Sequence, residues 1–286
     1  MHEFFLRYET AFGRIKCDPK WNSFYLNGNK MLGVTKFVGS FIPPFDEAGA
    51  SISTAKKWSE NQGRVVTPEE VIQVWHHKRD VSTNLGNAVN GYIEAALQNK
   101  PFTYPKDAIA KAFPNDTTDP VREKYDSIIK QVNIFRENSR GKLIPVKSEA
   151  VIGSPKYQVC GLVDQIFWNE TAKEFQIWDW KTNDKMDRSS SYKFNPPFDT
   201  TLDNCDYHKY SMQLTLYKKI FMEETGIPIG KCFLCWFCSD IHPTEGGPLV
   251  EHPAQFIPIR EFNAEADQML TIRARDLGIV DQGSIF

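Results

Sequence analysis

The sequence has no apolar run long enough to cross a bilayer, no Gly/Ser linker, no low-complexity block and no excess of either charge. The first absence leaves no candidate for a membrane-spanning helix. The second leaves nothing to divide the 286 residues, so the chain reads as one elaborated domain over 1–286. With a formal net charge of −2, a whole-molecule field cannot draw in polyanions, and any nucleic-acid contact has to rest on a local concentration of basic residues. Six cysteines form no regular small-domain framework, which suits reduced thiols in a cytoplasmic protein. The first residues, Met1 to Glu9, carry early acids and match neither a secretory signal nor an acid-poor transit peptide. What is present in quantity is core material: 41% of residues are hydrophobic and 13% aromatic, enough for independent folding.

Patterning predicts an α/β fold, a short mixed sheet flanked by helices. Residues 20–45 alternate around Leu26-Asn27-Gly28-Asn29-Lys30, where Asn-Gly signals a β-hairpin. A helix begins at Pro68 with Thr67 as its N-cap, and after Asp80 a second periodic stretch puts Leu85, Ala88, Val89, Tyr92, Ile93, Ala96 and Leu97 on one face. A further helix spans 119–138, and together these make 1–140 an N-terminal hairpin and helical part. Strands over 143–152, 156–168 and 173–181, with turns at Gly153-Ser154-Pro155 and Asn169-Glu170-Thr171, open the sheet core at 141–260. A long aperiodic loop over 183–205 follows, of the sort that is often functional or mobile. Next come a helix over 205–225 ending at Gly226, strands near 230–239 and 249–258, and a C-terminal helix from Ala264 within 261–286.

The chemistry concentrates in two of those strands. Gly161-Leu162-Val163-Asp164 is followed fifteen residues on by Asp179-Trp180-Lys181. Strand alternation puts Asp179 and Lys181 on one face and Trp178 and Trp180 on the other, and a hairpin would bring Asp164 alongside. An Asp-x-Lys pair alone is usually a solvated surface pair. Here the run Phe175 to Lys181 predicts burial on both faces, a costly place for unpaired charge. Two such carboxylates suit Mg²⁺ or Mn²⁺, with water and substrate phosphate in the remaining positions, and the lysine can polarise the attacking water or offset charge on phosphoryl oxygens. On the helix after the long loop, Gln213 and Tyr217 stack at four-residue spacing, with Tyr210 one turn earlier. Both are neutral groups able to hold a phosphate or orient the lysine.

Gly-x-x-Asp, Asp-x-Lys and Gln-x-x-x-Tyr in this order resemble the PD-(D/E)xK nucleases of the RecB-like group. Two further stretches, Leu32-Gly33-Val34-Thr35-Lys36-Phe37 and Trp75 to Asp80 leading into Gly86-Asn87-Ala88-Val89-Asn90, are similar to segments of the phage-type and mitochondrial genome-maintenance exonucleases of that superfamily. The resemblance runs over about residues 20–240. It implies a restriction-endonuclease-like core, with Asp164, Asp179 and the carbonyl of Trp180 as metal ligands and Lys181 as the catalytic lysine. Glu149 matches an upstream acidic position in the same meander. Asn90 stands where the family commonly has histidine; it can offer a carbonyl oxygen but cannot act as a base. Glu94, one turn on, faces the same way and is the candidate to compensate. DNA as substrate and an exonuclease acting on single-stranded or resected ends follow from the resemblance alone, as do partners from recombination or replication. A structure-selective or nicking endonuclease and a catalytically weak DNA-binding protein on the same fold are the alternatives.

Three other signals have plainer readings. Cys232, Cys235 and Cys238 fall on a buried strand whose three-residue spacing sends alternate thiols to opposite faces, so no iron–sulfur cluster is expected. His76 and His77 are adjacent on a helix without a carboxylate at useful spacing and read as surface groups. Lys185, Arg188, Lys193, Lys209, Lys218 and Lys219 could form a local basic track, with Tyr192, Phe194 and Tyr207 as stacking platforms for bases.

Overall fold

The computed structural model describes residues 1–18, 23–104, 120–237 and 253–279. Eight strands form one mixed sheet: β1 (Ile15–Asp18), β2 (Ser23–Leu26), β3 (Asn29–Gly33), β4 (Leu143–Ser154), β5 (Val159–Asn169), β6 (Glu174–Lys181), β7 (Ile229–Trp236) and β8 (Gln255–Pro258). The helices are α1 (His2–Phe12), α2 (Val34–Gly39), α3 (Glu47–Gln62), α4 (Pro68–Leu97), α5 (Pro120–Ser139), α6 (Asp206–Thr225) and α7 (Asn263–Asp276). The α/β class and the mixed, helix-flanked sheet therefore match the patterning.

Helices cover both sheet faces. On one, Phe4, Tyr8 and Phe12 of α1, Phe37 of α2, the apolar face of α6 and Met269 of α7 share a core with Ile166 and Ile177. On the other, Leu85, Val89 and Ile93 of α4 and Ile128, Val132 and Phe135 of α5 pack on Phe167, Trp178 and Trp180. Strand alternation in β6 is thus realised: the tryptophans enter the α4–α5 core, and Asp179 and Lys181 take the face of Ile177, toward α6.

Several elements differ from the patterning. The two periodic stretches after Pro68 are a single 30-residue helix, started by the Thr67 hydroxyl accepting from the Glu70 N–H. The first β-hairpin turn at Asn27-Gly28 is present, but a short helix, α2, follows β3 directly. Gly153 and Ser154 stay in β4, and the turn lies over 155–158. Helices α1 and α3 were not legible. In α1 three aromatics at four-residue spacing form the buried stripe, and in α3 only Ser51 and Ala55 are buried, too few to show a period. The loop over 183–205 is tied down, because Met186, Phe194, Phe198 and Leu202 enter the α1–α6 core. Among the described residues no helix is long and apolar enough to cross a membrane.

Candidate active site

The site arises from the way β5 is shared. Both β4 and β6 pair with Gln165–Asn169, and both β4 and β3 pair with Val159 and Cys160, so β3 and β6 occupy the same edge of β5 at its two ends. Between them, Gly161 to Asp164 have no strand partner on that edge among the described residues. A cleft of about 770 Å³ opens at this fork, lined by Gly161, Leu162 and Asp164 from β5, by Glu149, by Asn87 and Asn90 of α4, and by Tyr217 of α6.

Register brings the acids together. Ser148 stands opposite Gln165 and Ala150 opposite Val163, which sets Glu149 across from Asp164. On the other side the pairing of β5 with β6 ends at Gln165–Trp178, and Asp164 and Asp179 are the next residues of the two strands, where the fork opens. Three carboxylates from three neighbouring strands therefore come together at the fork as one rung of acids, close enough for Asp179 to act on both Asp164 and Glu149. Glu149 is held at φ 45°, a left-handed conformation rare for a residue with a side chain. That is a strained backbone at the site itself.

The rung is tied by few donors. Asp164 Oδ2 accepts the Trp180 N–H at 2.5 Å. A strand residue presents its N–H and carbonyl to the same edge, so the Trp180 carbonyl also faces β5, while the next carbonyl, of Lys181, turns the other way and accepts from Phe237 N at 2.8 Å. Lys181 forms a close ion pair with Asp179, and their side chains are only 18% and 15% exposed. Asp179 Oδ2 is the oxygen that meets the ammonium, and no other polar partner for it is described. The Lys181 ammonium also lies 4.4 Å from the centre of the Tyr210 ring.

Burial and mutual repulsion set the protonation balance. Asp164 keeps some surface in the cleft, yet desolvation and then the Asp179 charge push its pKa well above the usual carboxylate range. Glu149 is raised by burial, then by Glu94 and Asp179. This sets Glu94 of α4 against the rung. Desolvation works against the charge of Lys181, but Asp179 and Asp164 outweigh it and raise its pKa above the ordinary lysine value. Tyr210 and Tyr217 are both raised, chiefly by burial, so their phenols stay neutral donors.

The glycine of Gly-x-x-Asp has a steric reason. A Cβ on Gly161 would stand inside the contact distance of the Tyr217 hydroxyl. Gly161→Ala is expected to displace Tyr217 and cost on the order of 1–3 kcal/mol of stability. Gly161→Ala/Tyr217→Phe should recover part of that loss in a thermal-unfolding series, because the hydroxyl is the nearest atom. Equal destabilisation of the single and double variants would separate the two residues.

No family model matches the chain, and no curated protein sequence does. The site therefore rests on its own geometry. Asp164, Asp179, Trp180, Lys181, Glu149 and Tyr217 are brought together at the fork, and Asn90 lines the same cleft. Gln213 is half-buried, does not line the cleft and has no hydrogen-bond partner among the described residues. Tyr210 rather than Gln213 meets the lysine.

His76 does have a carboxylate partner: its Nε2 lies 2.8 Å from Glu47 Oε1 of α3, a helix the patterning did not show. Cys232 enters one core and Cys235 the other, and burial pushes the Cys232 thiol up to about 12; Cys238 lies outside the described residues. Phe194 is buried and Tyr207 half-buried, which leaves Tyr192 as the exposed ring of the three stacking candidates. Within the supposed basic track, Lys193 pairs with Asp203, Lys209 with Asp206, Lys218 with Glu261 and Lys219 with Asp267.

The donor set fits a hard divalent cation. Glu149, Asp164 and Asp179 offer only oxygen and repel one another, and Lys181 is the one cation described against them. Among the described residues no three His, Cys, Asp or Glu side chains are gathered tightly enough to enclose an ion. An ion held here would take few protein oxygens and complete its shell with water and substrate, as Mg²⁺ commonly does.

Proposed function

We propose that the protein is a Mg²⁺- or Mn²⁺-dependent deoxyribonuclease of the PD-(D/E)xK type, with a restriction-endonuclease-like core, acting as an exonuclease on single-stranded or resected DNA ends. The observation that carries the reading is the meeting of Glu149, Asp164 and Asp179, with Lys181 paired to Asp179, at a fork where Glu149 and Asp164 line an open cleft. A discarded site has no physical reason to keep buried carboxylates that repel one another.

The reaction adds water across a phosphodiester: the water oxygen bonds to phosphorus, the P–O bond to the leaving sugar breaks, and that oxygen takes up a proton. A bound divalent cation supplies Lewis-acid polarisation of a phosphoryl oxygen and lowers the pKa of a coordinated water. Asp164 and Asp179 would hold the cation, with the carbonyl of Trp180 as the third protein oxygen directed to that edge. Lys181, kept protonated by the two aspartates, orients the water and offsets charge on the phosphoryl oxygens. Tyr210 keeps the ammonium over its ring, and Tyr217, neutral and packed on Gly161, lines the cleft where the scissile phosphate would lie. Asn90 of α4 stands where the family commonly has histidine, and Glu94, one turn on and near enough to raise the Glu149 pKa, is the group that would compensate. DNA as substrate and the exonuclease mode rest on the motif resemblance; the hydrolytic chemistry rests on the residues.

The test is digestion of end-labelled linear and closed circular DNA, single- and double-stranded, in Mg²⁺, Mn²⁺ or EDTA. Loss of linear DNA in either metal, with circles intact and no loss in EDTA, is the expected result. Cut circles would make the protein an endonuclease. DNA binding without cleavage in any metal would make it a binding module.

A further inference from the structure

The basic residues that the cleft gathers come from parts of the chain far apart in sequence. Lys30 lies on β3 beside the hairpin turn, Lys36 on α2 and Arg273 on α7, and all three line the same cleft as Asp164 and Glu149. Arg273 lies beyond the stretch that the nuclease motifs cover. None of the three has a carboxylate partner among the described residues, whereas Lys193 of the 183–205 loop and Lys209, Lys218 and Lys219 of α6 are each tied to one, and Arg188 of the loop lies over the Tyr207 ring. Lys30 and Lys36 are exposed. Arg273 is half-buried and anchored: its Nε donates to the Tyr157 carbonyl at 3.1 Å, in the turn that feeds β5. No other described hydrogen bond engages that guanidinium, and the residue lines the cleft.

The cleft therefore has an acidic floor and a cationic rim. An acidic floor alone would repel a polyanion, and cations around it restore attraction locally in a chain whose net charge is −2. An anchored guanidinium suits a phosphate, because its fork geometry is fixed before the ligand arrives. Exposed lysines suit phosphates as mobile point charges.

We propose that Lys30, Lys36 and Arg273 form the phosphate-binding rim across which a single DNA strand enters the site, so that the strand runs between the β2–β3 hairpin and α7 and not along the 183–205 loop. This rests on the nuclease reading of the floor. The three are positioning residues: they hold backbone phosphates flanking the one being cleaved, and they read no sequence.

The experiment is a salt series of fluorescence anisotropy with a labelled oligo(dT), in EDTA so that no cleavage intervenes. It compares the parent protein with Lys36→Ala, Arg273→Ala, Arg273→Lys and the loop double variant Lys185→Ala/Arg188→Ala. The parent should bind, and Lys36→Ala and Arg273→Ala should each weaken binding several-fold. Each should also lower the slope of log affinity against log salt by about 0.7, the value for one single-strand phosphate contact. Arg273→Lys should recover part of the loss, and the loop variant should bind like the parent. Lys36 is exposed, so Lys36→Ala reports on binding even if Arg273→Ala proves unstable in a thermal-unfolding control. Parent-like binding by the rim variants, with weakened binding by the loop variant, would overturn the rim and put the strand on the loop. A parent that binds no DNA would instead remove the nuclease reading, and the rim with it.

Discussion

Asp179→Ala or Lys181→Ala is expected to lower the rate of metal-dependent DNA cleavage by about 1,000-fold or more, as loss of a charge acting directly on the transition state commonly does. The two act as a unit, since the ion pair between them is the contact that fixes the ammonium beside the carboxylate. The double variant should accordingly be no slower than either single one. Breaking a buried pair by removing one partner also destabilises, by roughly 3–5 kcal/mol when the remaining charge is left alone. The pair here is mostly buried, with side chains 15% and 18% exposed, so Asp179→Asn and Lys181→Gln are needed beside the alanine variants. They keep the shape of the site while removing the charge. Initial rates of nucleotide release, with far-UV circular dichroism on each variant, separate a lost reaction from a lost fold. Parent-like rates in folded Asp179→Asn would take this carboxylate out of the chemistry.

Asp164→Asn is expected to abolish cleavage and yet stabilise the metal-free protein. Burial and the neighbouring Asp179 raise the pKa of Asp164 in the folded state. The folded protein then binds a proton more tightly than the unfolded chain, so the stability present at low pH is lost as pH rises from the ordinary carboxylate range toward that raised value. Glu149, raised by burial, Glu94 and Asp179, adds a contribution of the same sign. Asparagine does not titrate, and its carbonyl can still accept the Trp180 N–H. The variant should therefore unfold at a higher temperature than the parent at neutral pH, and the difference should shrink as pH falls. Mg²⁺ or Mn²⁺ reverses the comparison: at about 100 times its dissociation constant a cation binding only the folded state contributes about 2.7 kcal/mol, a rise on the order of 5 °C. The parent should show that rise and Asp164→Asn should not. A thermal-unfolding matrix over pH and metal reads both effects.

Part of this site was legible in the sequence for a simple reason. Alternation in a strand is rigid, so Asp179 and Lys181 had to share a face once Trp178 and Trp180 were assigned to a core, and a hairpin fixes which residue of β5 they meet. Gly161 before Asp164 was visible as a motif but not as a reason; the close approach of the Tyr217 hydroxyl supplies one. The rest depended on tertiary context. Nothing local announces that β3 and β6 share one edge of β5 and leave a gap at Gly161 to Asp164. Nothing in α7 sets Arg273 apart from Arg275 until the helix is seen against the cleft. The loop over 183–205 reads as polar and non-helical although its buried Phe194, Phe198 and Leu202 fall at four-residue intervals, because Pro196 and Pro197 between them exclude a helix. His76 looked partnerless because its partner, Glu47, sits on a helix with almost no apolar period.

Binding of Mn²⁺ to the parent and to Asp164→Asn, followed by electron paramagnetic resonance as loss of the free-ion signal, tests the central claim most directly. Saturable binding by the parent, largely lost in the asparagine variant while its fold is intact, is the result expected if the rung of Glu149, Asp164 and Asp179 is a cation site. Equal binding by the two proteins, or none by either at millimolar Mn²⁺, would contradict it.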